Sequence, residues 1–213
     1  SKFGTYGDSA EIARIRLANL YIASKLAEEG QNDEATRHLA LADTVIDPLS
    51  DASALVKWEL QWLRIHVLLQ LNRMDEAIQN LNTIKTPLIV SRATAEIAAY
   101  QIKNGQVEAA LTMAERIGTG LGSGENQGAV AIALFEHGDR DIAVDYINKV
   151  GETDEAMNAL ITLARHWAEA GDTIRLQSTF DSLRSPTGQT HYATSAAVFL
   201  ALRDGKKAED QAK

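Results

Sequence analysis

A turn signal returns along this chain of 213 residues at nearly constant spacing: Gly30, Asn72, Gly105, Gly138, Gly171 and Gly205, at intervals of 42, 33, 33, 33 and 34 residues. Glycine, and asparagine less readily, accept the left-handed backbone that closes a helix. Five residues beyond each signal stand Ala35, Ala77, Ala110, Ala143, Leu176 and Asp210, and all but the last are small or apolar. A turn followed at fixed distance by a residue that lets two helices meet, with a period of about 34, predicts stacked helical hairpins, because no single hairpin can bury its apolar stripe alone.

The residues between the turns agree. Ile12, Ile15, Leu20, Ala23 and Leu26 before the first turn, and Ala35, Leu39, Ala42 and Ile46 after it, recur at spacings near three and four. The same holds for Ile97, Ala98 and Ile102 followed by Ala110, Ala114 and Ile117, and for Leu160, Leu163, Ala164 and Trp167 followed by Leu176, Phe180 and Leu183. These are amphipathic helices, and strand-like alternation is missing, so the expected fold class is all-α. Asp8 three residues before Glu11 reads as a capping box, Pro87 as a first-turn proline, and Gly151-Glu152-Thr153-Asp154 as another helix start. One repeat domain over 1–213 is expected, with hairpins at roughly 8–47, 51–86, 87–118, 123–150, 152–185 and 188–213, the last incomplete or capping.

In this pattern the chain resembles the tetratricopeptide-repeat family. The likeness lies in the turn glycine, the alanine five residues later, the large residue four beyond that (Leu39, Leu81, Ile147, Phe180; Ala114 is smaller) and the small residue seven before the turn (Ala23, Ala98, Ala131, Ala164). Ile65 and Val198 depart from the last rule. The large aromatic near the start of each first helix is replaced by Asn19, Gln61, Thr94, Gln127, Leu160 and Thr194, and the closing proline survives only as Pro48. The resemblance implies a divergent right-handed α-α superhelix, a solenoid of about six hairpins, whose first helices line a concave groove. On that register, residues thirteen, ten and six before each turn face the groove: Leu17, Leu20 and Ser24; Glu59, Trp62 and His66; Arg92, Ala95 and Ala99; Glu125, Gly128 and Ile132; Asn158, Ile161 and Arg165; Tyr192, Ser195 and Phe199.

Such a groove, mixed in charge and partly apolar, suits an extended peptide or helix of another protein. The partner-binding candidates are Glu59, Trp62, His66, Arg92, Glu125, Asn158, Arg165, Tyr192 and Phe199. The clamp that some family members use for a C-terminal carboxylate wants Lys and Asn where this chain has Leu20 and Ser24. Trp58, Trp62 and His66, four apart, stack along one side of a helix, either as a binding ladder or as a seal between the first two hairpins. Trp167 falls on the core register. The alternative function is a small-ligand or effector sensor, in which the groove closes about Gly118-Thr119-Gly120-Leu121-Gly122-Ser123-Gly124 as a hinge between the first three hairpins and the last three.

Composition narrows the partner. Lys and Arg total 21 against 29 Asp and Glu, a net charge of −8 with no basic face, so nucleic acid is not an expected partner. There is no cysteine, and no apolar run approaches the roughly 18 residues of a membrane helix, so a soluble chain without disulfides is expected. The chain opens on Ser1, which leaves room for an upstream signal or anchor, and a periplasmic or exported location is favoured over the cytosol. The polar, short last helix would allow two copies to pair into a homodimer.

Enzymatic chemistry and cofactors are not expected. His38, His66, His137, His166 and His191 follow no metal-ligand spacing. Glu136-His137-Gly138-Asp139 sits on a turn, where solvated charge is ordinary. The glycines around Ser123 match neither a phosphate loop nor a nucleophile elbow. Asp33-Glu34, Asp75-Glu76 and Asp154-Glu155 open helices, where they complement the helix dipole.

Overall fold

The computed structural model describes residues 5–44, 54–118, 122–150 and 154–211. Among them every element is helical: α1 (Thr5–Glu28), α2 (Asn32–Thr44), α3 (Ala54–Gln70), α4 (Met74–Thr83), α5 (Pro87–Lys103), α6 (Val107–Ala114) with a 3-10 turn (Glu115–Ile117), α7 (Ser123–His137), α8 (Arg140–Val150), α9 (Asp154–Ala170), α10 (Thr173–Ser182) and α11 (Pro186–Gln211).

The recurrent turn has one physical construction. Gly30, Asn72, Gly105, Gly138 and Gly171 take φ values of 76, 58, 75, 104 and 73°. At each, the turn residue donates its N–H to the carbonyl three residues back and the next residue donates to the carbonyl five back, as with Gly105 to Ile102 and Gln106 to Gln101, both 2.8 Å. Two carbonyls that the ending helix leaves without partners are thereby satisfied. The carbonyl of that next residue then starts the second helix by accepting from the residue five beyond the turn, Gln106 from Ala110 and Asp139 from Ala143. Ala35, Ala77, Ala110 and Ala143 are fully buried at this corner, where a small residue lets the two helices meet closely, and Leu176 takes the same place, also buried, at the fifth turn.

The chain divides into two compact units, Ser1–Ala93 and Thr94–Lys213. The boundary falls inside α5. In the first unit α1 packs on α2 and on α3, and α3 packs on α4. Its core is built from Leu20, Ala23, Leu39, Leu63, Leu68 and Leu81. In the second unit α7 packs on α8 and α9, and α9 packs on α10 and α11, around Val130, Leu134, Leu163, Ala164 and Trp167. Within each unit, therefore, a first helix lies against its own partner and against the next first helix. The tightest approach of α7 to α9 is at Gly128, where a Cβ would fall 2.8 Å from Thr162 Cβ and 3.0 Å from the Ala159 carbonyl oxygen.

Three expectations change. Gly205 makes no turn: α11 runs through it as one helix of 26 residues, so the sixth hairpin is replaced by a single long helix. Just before Gly205, Arg203 Nη1 reaches back to the Ala168 carbonyl at 3.3 Å and its guanidinium also holds Asp204, so the chain is still tied to α9 as it arrives at the expected corner. α1 begins at Thr5, so Asp8 lies within the helix rather than at its start. Finally, the glycine segment does not separate two halves, because Ala114 and Ile117 before it share one core with Val130 and Ala131 after it. Residues 119–121 of that segment, the insertion around 47–51 and the Gly151-Glu152-Thr153 helix start lie outside the described residues.

Candidate functional site

Four of the predicted groove residues converge in the first unit. Glu59, Trp62 and His66 stand one turn apart on α3, so their side chains stack along one face. Trp62 and His66 rings lie 5.5 Å apart at 29° between planes. The Arg92 guanidinium, from α5, sits 3.6 Å over the Trp62 ring, within the range of a cation–π contact. Glu59 accepts a hydrogen bond from the Tyr21 phenol of α1. The result is a surface spanning α1, α3 and α5 that joins two stacked rings, a cation resting on the indole, and a carboxylate held by a phenol. Trp62 and His66 are half-buried and Arg92 and Tyr21 exposed, so the rings are held in place yet open to contact.

The electrostatics follow from these contacts. The Glu59 carboxylate beside the Tyr21 hydroxyl raises the phenol above its ordinary 10.0, with burial and the repulsion between the two anionic forms adding to it and the Arg92 charge opposing it. In the same unit, Lys25 holds Glu28 below the usual carboxylate range, helped by His66. Tyr21 carries no periodic signal: it stands nine residues before its turn, where the other repeats have Leu63, Glu96, Ala129, Thr162 and Ala196. Trp58, the remaining member of the expected ladder, is half-buried.

The second unit presents a more dispersed set. Glu125 on α7 and Asn158 and Arg165 on α9 are exposed, and among the described residues no hydrogen bond or ion pair joins them to one another. Phe199 on α11 is packed against the core at its edge. Tyr192 departs from the groove register: it is 1% exposed, and burial pushes its phenol well above the usual range. A continuous α11 turns this side chain inward instead of presenting it to a partner. Leu20, Ser24, Ala95 and Gly128 of the same register are also buried, because the position ten before the turn faces the neighbouring helix in three of the repeats.

Trp167 is core, edge-on to Phe135 at 5.9 Å and under the Arg175 guanidinium at 4.9 Å. The acid–base sequence at the fourth turn splits into two separate contacts, His137 Nδ1 to Asp139 at 2.6 Å and Glu136 to His166 Nε2 at 3.0 Å. Among the described residues no three His, Asp or Glu side chains come together as metal ligands, and no helix is long and apolar enough to cross a membrane. No family model matches the chain, and neither the curated proteins nor the solved structures gave a match.

Proposed function

We propose that this chain is a non-catalytic protein-interaction scaffold of tetratricopeptide-like, superhelical type, which binds a peptide or helix segment of another protein across its first helices. The observation that carries the reading is the assembly of Trp62, His66, Arg92, Glu59 and Tyr21 on one open face. Tryptophan, tyrosine and arginine are enriched at binding hot spots, and the two aromatics desolvate a large area at small entropic cost. Here the entropy is reduced further: the guanidinium already rests on the indole and the phenol is already tied to a carboxylate, so a partner meets a surface close to its bound geometry. An apolar or aromatic anchor flanked by polar groups would fit it, laid along the helices as in groove recognition.

The test is site-specific photo-crosslinking. A benzoylphenylalanine placed at Tyr21 should capture a discrete partner in cells of the source organism, whereas the same group at Ile174, 81% exposed on α10, should not. Capture of the same partner from both positions, or from Ile174 alone, contradicts the assignment.

A further inference from the structure

Four arginines among the described residues are half-buried, and three of them hold a carboxylate: Arg64 pairs with Asp43, Arg73 with Glu76 at 2.6 Å and Arg203 with Asp204 at 2.8 Å. The fourth, Arg16 on α1, makes no ion pair or hydrogen bond among the described residues. A guanidinium drawn out of water needs such a partner, because burial weakens its hydration without replacing it. The Arg16 Nε is enclosed without an acceptor, whereas its terminal nitrogens are neither enclosed nor hydrogen-bonded and so are the part of the group open to a ligand.

Arg16 borders a cavity of about 530 Å³ that opens between α1, α2, α3 and α4. Its volume falls within the range of small-molecule sites, about 300–1,000 Å³. Arg16, Lys57 and Arg64 bring three cations to its lining against one carboxylate, Asp43, which Arg64 already holds. Burial, and then the repulsion of Arg16 and Arg73, pulls the Arg64 guanidinium below its ordinary 12.5. The Arg16 charge is therefore felt at the cavity wall. Leu20, Ala42 and Leu60, all buried, supply the apolar lining.

This excess of positive charge, in a chain of net charge −8, does not come with the repeat. Asp43, Arg64 and Asn80 stand thirteen after, eight before and eight after their turns, and the second unit has Gly118, Val130 and Tyr146 at those places. The cavity that Gly118 and Tyr146 border there carries one cation, Lys149, against Glu115 and Asp145.

We infer that the Arg16 cavity is a small-molecule site: it takes an organic anion whose carboxylate or phosphate pairs with the terminal nitrogens of Arg16 while its apolar part lies against Leu20, Ala42 and Leu60. The planar fork of a guanidinium matches two oxygens of either head. None of the residues of the aromatic face lines this cavity, so the two sites are separate.

Benzoate, phenyl phosphate and the neutral isostere benzamide test this, read by methyl chemical shifts of the full chain labelled at Ala and Leu. At least one of the two anions should move the Leu20, Ala42 and Leu60 methyls and bind about ten-fold or more tightly than benzamide, the worth of a charge-assisted hydrogen bond. Arg16→Met keeps an extended stem and removes the charge. It should erase these shifts and leave the urea midpoint unchanged or raised, because no carboxylate of the protein loses a partner. Absence of shifts at these methyls with both anions, benzamide binding as tightly as either anion, or anion-induced shifts that persist in the Arg16→Met protein overturns the proposal. Inorganic phosphate binding as tightly as the organic anions overturns it too, since the apolar lining then contributes nothing. The comparison with benzamide is made on the wild type and holds whatever the variant does to folding.

Discussion

At the scale of single residues, two positions carry the most information. Asn72 is the one non-glycine with positive φ among the described residues. An L side chain there costs roughly 1–2 kcal/mol, which asparagine partly escapes by local hydrogen bonding and a β-branched residue cannot. Asn72→Val should therefore lower stability by about 1–2 kcal/mol in urea denaturation, while Asn72→Gly should match or exceed the wild type. An unchanged Val variant would mean that the turn is not left-handed. Tyr21 reports on the binding face. Its pKa is raised because the phenol donates to Glu59, so the neutral form is favoured in the folded chain. That contribution is fully present below pH 10 and is lost as pH rises through the elevated value. Glu59→Gln removes the anion, and ring-carbon NMR titration, with Tyr21→Phe for assignment, should show Tyr21 falling back toward its ordinary value. A titration that Glu59→Gln does not move would separate the two groups.

At the scale of elements, the helix contacts make opposite predictions at two glycines. A methyl at Gly128 meets Thr162 and the Ala159 carbonyl too closely, an overpacking of about 1–3 kcal/mol, which outweighs the roughly 0.5–1 kcal/mol that alanine gains in a helix. Gly128→Ala should lose about 1 kcal/mol net. Gly205 sits in α11, where an added Cβ would meet nothing within 4 Å, so Gly205→Ala should gain about 0.5–1 kcal/mol. Loss of stability at Gly205 would restore the sixth turn that the period suggests. These contrasts also mark what is legible in the sequence. The all-helical class and five turns can be read because each rests on local chemistry: a residue that tolerates positive φ, a buried alanine five residues on at four of them and Leu176 at the fifth, and apolar spacing between. Gly205 escapes such a reading because its fate depends on Arg203 reaching Ala168 on α9, a contact 35 residues away in sequence. Tyr192 escapes it for the same reason, since a straight α11 sets which of its faces turns inward.

At the scale of the whole molecule, the sequence period describes a repeating chain, yet the chain divides into two compact units with the boundary inside α5. Nothing local marks that boundary: Ala93 and Thr94 are both fully buried helix residues without glycine or proline between them. The candidate face is half legible. Glu59, Trp62, His66 and Arg92 follow from helical phase, whereas Tyr21, which completes the cluster, occupies no repeated position. The central claim is that the aromatic face binds a protein, and affinity capture from an extract of the source organism tests it most directly, comparing the wild type with a Trp62→Ala, Arg92→Ala double variant of matched helicity by circular dichroism. The account predicts one partner retained by the wild type and lost from the variant, a weakening of at least about 2 kcal/mol in follow-up titration; equal retention of that partner by both proteins would contradict it.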